Sequence, residues 1–264
     1  MSAATEARQA ELDRVLDGQD PGKGLADELF AVVGLLRGQV SLRNALSDLT
    51  APEDARRRLA EAVFGSRVSA EALGVVGAAA GLRWTSGADL TAALERQGVR
   101  AVLRAAQQAG TLDAVEEELF RFSRIIAADH ALRGVIEDRN ASQEGREQLV
   151  SDLLSGRAQA ATVVLAKRAV GAANRTVALT LDSYLVLAAD ERSRAIAQVT
   201  VARPLTVEQS ERLRAALSRQ VGREVSLQVS VDPRVIGGVR VQLGDEVIEG
   251  TVAGRLDAAE RQLN

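Results

Sequence analysis

The residue types that most often build active sites are scarce in this chain of 264 residues. It contains no Cys and a single His, His130. Thiolates and imidazoles are the usual ligands of zinc, haem and iron–sulfur clusters, so these counts exclude most metal sites. A Ser-His-Asp triad could use only His130. This residue falls at a predicted helix junction, which favours a surface or partly buried position over a ligand.

Three other motifs have the composition of a site but not its spacing. Glu116, Glu117 and Glu118 are consecutive and do not share a helix face, which predicts a solvated surface and not a metal site. The pair Gly237-Gly238 opens a strand, whereas a phosphate-binding loop follows a strand and opens a helix. The run Pro21-Gly22-Lys23-Gly24 has no preceding strand and no following Ser or Thr. We predict no catalytic residue, no metal site and no cofactor.

Composition excludes two classes of partner. Basic and acidic residues number 33 and 36, a net charge of −3, and aromatic residues are 2% of the chain. A chain with this charge and no aromatic platform is not expected to bind nucleic acid. The longest apolar run, Leu73 to Leu82, is too short to span a bilayer, so we predict no membrane insertion.

The middle of the chain is predicted to be helical. No proline occurs from Glu53 to Arg203, and Ala, Leu, Arg and Glu dominate. Apolar spacing, helix caps and glycines predict helices at 3–16, 24–38, 40–48, 51–64, 70–82, 87–96, 97–108, 112–128, 130–137, 141–154, 158–172 and 176–192. Only Gly98 weakens the junction between the sixth and seventh helices. A long connecting helix is therefore expected there.

An internal duplication relates the two halves of the helical region. Glu28-Leu29-Phe30 recurs 90 residues later as Glu118-Leu119-Phe120, and identities continue to Gly81 and Gly171. Both copies place an oxygen-bearing residue, Thr50 or Asn140, three positions before Glu or Gln, which predicts a capping box in each. We predict a mainly α fold with two tandem six-helix bundles, at residues 1–96 (copy one) and 97–193 (copy two).

Residues 194–264 are predicted to form a separate small α+β domain. Alternating apolar residues predict strands at 195–201, 225–231 and 239–243, of which the second and third would pair as a hairpin. Thr206 is a candidate N-cap for a helix between the first two strands. A short strand at Val247-Ile248 and a closing helix capped by Thr251 complete this domain.

The C-terminal run from Val231 to Val252, followed by Arg255-Leu256, resembles the signature of the delta subunit of F-type ATP synthases. The mitochondrial relative is the oligomycin-sensitivity-conferring protein. The signature positions are Asp232, Pro233, Gly237, Gly238, Gly244, Asp245, Gly250 and Arg255. Glu249 replaces the usual Asp and Thr251 the frequent Ser, which preserves the charge and the hydroxyl. Copy one has no counterpart in an ordinary member and looks like the duplicated bundle of long actinobacterial delta subunits.

The resemblance implies a stator subunit without chemistry of its own and without a cofactor. Such a subunit links the alpha/beta catalytic hexamer to the b-type peripheral stalk and resists co-rotation, so that proton translocation drives ATP synthesis. It implies one copy per complex, held peripherally on the cytoplasmic side of the cell membrane. The alternative is a helical-repeat adaptor of an unrelated complex, which the duplicated bundle and the lack of an active site also fit.

The resemblance also implies a groove for an alpha-subunit N-terminal helix between the first and fifth helices of copy two. The C-terminal domain would bind the stalk. The candidate groove residues are Val99, Val102, Leu103, Ala106, Val163, Val164, Lys167 and Val170. For each of them, packing in the core of the bundle and contact with the partner are equally compatible with the pattern.

Overall fold

Helices account for most of the chain, and a small sheet lies towards its C-terminal end. The computed structural model describes residues 3–20, 22, 24–138, 140–172, 175–193, 195–221, 225–232, 239–243 and 246–249. In these ranges the helices are α1 (Ala3–Asp17), α2 (Leu25–Gly38), α3 (Val40–Leu46), α4 (Glu53–Phe64), α5 (Ala70–Gly81), α6 (Gly87–Gln108), α7 (Leu112–Ala128), α8 (His130–Glu137), α9 (Gln143–Leu154), α10 (Ala160–Val170), α11 (Val177–Ser193) and α12 (Val207–Val221). The strands are β1 (Ala195–Val201), β2 (Val225–Val231), β3 (Val239–Leu243) and β4 (Glu246–Glu249). The prediction of a mainly helical fold with a small sheet is confirmed.

The expected junction between two helices near residue 97 is a single continuous helix. Helix α6 runs from Gly87 to Gln108 without interruption. Its N-cap, Ser86, accepts a hydrogen bond at 3.2 Å from the backbone N–H of Asp89. Gly98 lies inside this helix and does not end it. The predicted long connecting helix is confirmed.

The two predicted capping boxes are wrong. Helix α4 begins one residue after Pro52, which has no side-chain acceptor, and not at the position that a Thr50 cap requires. The residue before a proline is disfavoured in helical conformation, which prevents an earlier start. In copy two the cap is Ser142 and not Asn140, and the Ser142 hydroxyl accepts from the N–H of Gly145 at 3.1 Å. The two helices still begin at equivalent positions, 90 residues apart.

The duplication extends to tertiary contacts. Glu28 on α2 accepts hydrogen bonds from the N–H and the hydroxyl of Ser69, the N-cap of α5, at 3.0 and 2.5 Å. Ninety residues later, Glu118 on α7 accepts from the N–H of Gln159, the N-cap of α10, at 2.9 Å. It also accepts from the Thr162 hydroxyl at 2.6 Å. One glutamate therefore satisfies the start of the fifth helix in each copy.

An arginine donates hydrogen bonds to the end of the fifth helix in both copies, that is, of α5 and of α10. Arg56 is buried, and its guanidinium donates to the carbonyls of Ala80 and Gly81 at 2.8 and 2.6 Å. The equivalent Arg146 donates to the carbonyl of Val170 at 3.3 Å. These arginines satisfy carbonyls that the end of a helix leaves without helical partners. The arrangement as two tandem six-helix bundles nonetheless remains a prediction.

The sheet differs from the predicted connectivity. Its strand order is β2-β1-β3-β4, with β1 and β2 parallel and the other pairs antiparallel. The predicted hairpin of the second and third strands is therefore wrong, because β1 lies between them. Helix α12 supplies the crossover that two parallel strands require. Thr206 caps α12 as predicted, in a reciprocal capping box with Gln209.

The chain divides into two compact units. One comprises residues 21–192, and the other comprises residues 1–20 and 193–264. In the second unit, α1 contacts β2, and Ala197, Val199 and Val241 lie in the core of the sheet. In the first unit, α6 contains residues of both predicted copies, because the boundary at 96/97 falls within this helix. The predicted division at 96/97 and 193/194 remains a prediction.

Several sequence-based expectations lie outside the described residues. They concern the closing helix after Thr251 and all signature positions except Asp232, namely Pro233, Gly237, Gly238, Gly244, Asp245, Gly250 and Arg255. Asp232 follows β2, and its N–H donates to the carbonyl of Val201 at 2.9 Å. None of the described helices is long and apolar enough to cross a membrane.

Candidate partner-binding groove

The eight predicted groove residues divide into a buried and a half-buried set. Five of them lie in the hydrophobic core of the first unit: Val99, Val102, Leu103 and Ala106 on α6, and Val170 on α10. The other three, Val163, Val164 and Lys167 on α10, are half-buried. Core packing therefore occupies all four predicted residues of the α6 wall. Contact of any of these residues with a partner helix remains a prediction.

A side chain from copy one enters the same core. Phe30 on α2 belongs to the buried cluster that includes Val99 and Val102. A Cβ atom added at Gly98 would lie 2.5 Å from the Phe30 ring, so the ring rests directly on the backbone of α6. The guanidinium of Arg168 on α10 lies 4.4 Å from the centre of the ring. Helix α2 thus closes one end of the region between α6 and α10.

A half-buried carboxylate connects the three helices at this end. Glu95 on α6 accepts a hydrogen bond from Arg168 Nε at 2.9 Å and forms an ion pair with its Nη2. It also forms an ion pair with Arg37 on α2 at 3.3 Å. Sequence reasoning missed Phe30, Glu95 and Arg168. The available signal was Gly98, a glycine inside an otherwise helical stretch, which indicates a close neighbour.

Tyr184 on α11 is buried beside this cluster. Burial raises the pKa of the Tyr184 hydroxyl well above its usual value, and the negative charge of Glu95 raises it further. The folded protein therefore keeps this phenol protonated at a pH where an exposed tyrosine ionises. In the unfolded chain the hydroxyl ionises near its ordinary pKa of about 10.

Alkaline pH is expected to lower stability through Tyr184. Because its pKa is higher in the folded state, the stabilising contribution is complete below about pH 10 and decreases as the pH rises above it. We expect the free energy of unfolding in urea to fall less between pH 8 and pH 11 in Tyr184→Phe than in the unchanged protein. Equal losses in the two proteins would contradict this assignment.

The acidic run is only partly the solvated surface that was predicted. Glu117 is exposed and forms an ion pair with Arg121 in the next turn. Glu116 is half-buried and contacts Arg192 on α11 at 3.2 Å, and Glu118 caps α10. The difference arises because α10 and α11 pack on either side of this part of α7.

The remaining chemistry-bearing residues form no site among the described residues. His130 is exposed, and its Nδ1 contacts the guanidinium of Arg133 in the next turn. In the described ranges, no group of three or more His, Cys, Asp or Glu side chains could hold a metal ion.

Comparison with known proteins assigns the chain to a family. The family model "ATP synthase delta (OSCP) subunit" matches residues 95–263. The chain belongs to the ATP synthase delta (OSCP) subunit family. As a member, it is a non-catalytic peripheral-stalk subunit of F-type ATP synthase. The family match begins within α6, close to the predicted start of copy two at residue 97.

Curated delta subunits of actinobacteria also match copy one. ATP synthase subunit delta of Streptomyces avermitilis is 44% identical over 262 residues, covering 98% of this chain and 96% of the relative. That of Cutibacterium acnes is 43% identical over 263 residues and covers 100% of both chains. That of Rhodococcus opacus is 46% identical over 237 residues, covering 89% and 85%. These delta subunits therefore have nearly the same length as this chain.

Proposed function

We propose that this delta-family subunit links the alpha/beta catalytic hexamer to the b-type peripheral stalk, resists co-rotation and couples proton translocation to ATP synthesis. The observation that carries the proposal is the family match over residues 95–263. The complex would contain one copy, on the cytoplasmic side of the membrane. It would contact the N-terminal helices of the alpha subunits and the b-type subunits.

Packing within the first unit supports this mechanical function. Helices from both copies share α6 and the core around Phe30 and Val99. A stiff body that joins two moderate interfaces makes the second binding event effectively intramolecular, which raises avidity by roughly 100-fold or more. A stator needs such docking faces and stiffness, and it needs no reactive side chain.

Removal of the subunit tests the coupling. In membranes that lack this chain, we expect the detached catalytic sector to retain ATP hydrolysis while ATP-driven proton pumping is lost. Adding the purified full-length chain back should restore pumping. Undiminished pumping without the chain would rule out the proposal. An adaptor of an unrelated complex would not co-purify with ATP synthase, which distinguishes the alternative.

The proposed binding of an alpha-subunit helix in the groove is tested on α10, whose candidate residue Val163 is half-buried. Val163→Asp is expected to weaken binding of a synthetic alpha-subunit N-terminal helix to the full chain about tenfold, or 1.4 kcal/mol, by placing a charge at an apolar contact. Titration calorimetry measures the affinity. Val102 is unsuitable for this test because it lies in the core.

Val40→Asp is the matched control for the groove test, since Val40 is exposed on α3. It should leave the affinity of the helix unchanged. If folded Val163→Asp binds as the unchanged chain does, the helix does not dock on this wall of α10.

A further inference from the structure

The two equivalent fifth helices, α5 and α10, differ in how firmly their own copy holds their last turn. In copy one, Arg56 is 3% exposed, and its guanidinium donates to the carbonyls of Ala80 and Gly81 at 2.8 and 2.6 Å. In copy two, the equivalent Arg146 is half-buried and donates to the carbonyl of Val170 at 3.3 Å. The Nε of Arg146 is buried and has no hydrogen-bond partner among the described residues. Hydrogen bonds from within its own copy therefore hold the end of α10 more weakly than the end of α5.

Arg168, two residues before the end of α10, supplies a second attachment for this turn. Its guanidinium makes two hydrogen bonds with the carboxylate of Glu95, one of them from Nε at 2.9 Å, and lies 4.4 Å from the centre of the Phe30 ring. A bidentate pair between arginine and a carboxylate fixes direction as well as distance. The side chains of Arg168 and Glu95 are only 20% and 15% exposed, so that the solvent screens their attraction incompletely.

The residues around Arg168 in this cluster belong to copy one. Phe30 and Arg37 lie on α2, and Glu95 falls within the predicted extent of copy one. Arg37 lies 3.3 Å from Glu95 Oε2, the oxygen that also pairs with Arg168 Nη2, and so restrains the same carboxylate. Ninety residues before Arg168 the chain has Ala78, which cannot form such a pair. The attachment is therefore specific to α10, and it joins the two copies.

This attachment lies beside two of the candidate groove residues. Lys167 directly precedes Arg168, and Val164 lies one helical turn before it on the same face. Both are half-buried. Because backbone hydrogen bonds join residues four apart in a helix, a displacement of Arg168 also displaces Val164 and Lys167. The position of the α10 wall of the groove thus depends on what holds Arg168.

We propose that copy one positions the α10 wall of the groove: Glu95 and Phe30 hold Arg168, and Arg37 holds Glu95. The groove is then preorganised, because α10 does not have to be fixed when the partner helix binds. The identity of this partner as an alpha-subunit N-terminal helix rests on the proposed function. Glu95, Phe30 and Arg37 act through Arg168 and are positioning residues. Copy one thereby contributes to partner binding by copy two.

Titration calorimetry with Glu95→Gln tests the effect on binding. The amide retains the shape of the side chain but lacks the charge that pairs with Arg168. We expect a synthetic alpha-subunit N-terminal helix to bind the full-length variant about tenfold more weakly than the unchanged chain, a typical coupling between two sites. Glu53→Gln is the matched control, because Glu53 forms an exposed ion pair with Arg57 within α4. It should leave the affinity unchanged.

Hydrogen exchange distinguishes positioning of α10 from a general loss of stability. Amide exchange is followed by mass spectrometry in α5 and α10, which lie in the same compact unit. We expect Glu95→Gln to accelerate exchange about tenfold more in α10 than in α5, since Ala78 stands at the position of α5 that is equivalent to Arg168. A general loss of stability would accelerate exchange equally in both helices.

A second substitution tests whether Glu95 acts through Arg168. Arg168→Met keeps an unbranched side chain beside Phe30 but cannot pair with a carboxylate. Alone, it should weaken binding of the synthetic helix about tenfold, as Glu95→Gln does. Adding Glu95→Gln to Arg168→Met should cause no further loss of affinity, because both changes remove the same pair. Two losses that multiply would contradict the proposed action through Arg168.

Two other results would overturn the proposal: exchange that rises no more in α10 than in α5, or equal affinities of Glu95→Gln and the unchanged chain for the synthetic helix. Failure of the proposed function gives a different result. If the unchanged chain does not bind the synthetic helix, the groove itself is wrong. Exchange in α10 then decides by itself whether copy one positions this helix.

Discussion

Replacing Glu191 with alanine is expected to lower the free energy of unfolding by about 3–5 kcal/mol. Arg100 on α6 donates from Nε to Glu191 Oε1 on α11 at 2.7 Å, and its Nη2 lies 2.5 Å from the same oxygen. The two side chains are only 1% and 5% exposed. The substitution leaves a guanidinium in the interior without this carboxylate, and water cannot compensate. Urea unfolding followed by circular dichroism measures the loss.

Two controls distinguish the effect of leaving a buried charge unpaired from the effect of losing an ion pair as such. The Glu117–Arg121 pair is exposed, so Glu117→Ala should cost well under about 1 kcal/mol. Replacing both buried partners, as Arg100→Met with Glu191→Leu, should recover most of the lost stability, because no buried charge then lacks its counter-charge. A Glu191→Ala loss no larger than that of Glu117→Ala would show that the buried pair does not stabilise the fold.

Gly98→Leu is expected to destabilise the first unit by about 3 kcal/mol, the upper end of the range for overpacked cores. Even a Cβ at this position lies 2.5 Å from the Phe30 ring. A larger side chain must displace the ring and separate it from Arg168. Thermal and urea unfolding of the full chain measure the effect.

Gly34→Leu is the matched control for Gly98→Leu, because Gly34 is also inside a helix but has no neighbouring atom within 4 Å of an added Cβ. The gain in helix propensity, roughly 1 kcal/mol, should make this variant slightly more stable. Adding Phe30→Ala to Gly98→Leu should cost less than the sum of the two single changes, since both act on one contact. Strict additivity would contradict the proposed clash.

Helix positions were largely predictable because they follow local rules. Apolar spacing, caps and glycines define most boundaries, and the continuity of α6 follows from a single weak interruption at Gly98. The failures involve competing local signals. Pro52 restricts the residue before it and shifts the start of α4, which overrides the apparent Thr50 cap.

Strand pairing was less predictable because it depends on partners distant in the chain. Adjacent strands β2 and β3 alternate as a hairpin should, yet each pairs with β1. Helix α12 makes the parallel pairing of β1 and β2 possible. The alternation of apolar residues within a strand does not indicate which strand it pairs with.

The sequence by itself determined the helical duplication, the scarcity of Cys and His and the delta-family signature, since each depends on residue identity and spacing. Only the tertiary structure decided which copies of a repeated residue are covered. Phe30 and Phe120 stand at the same point of the repeat, and one is buried while the other is exposed. The reason for the burial of the first ring is packing: Gly98 has no side chain, and an added Cβ there would lie 2.5 Å from the Phe30 ring.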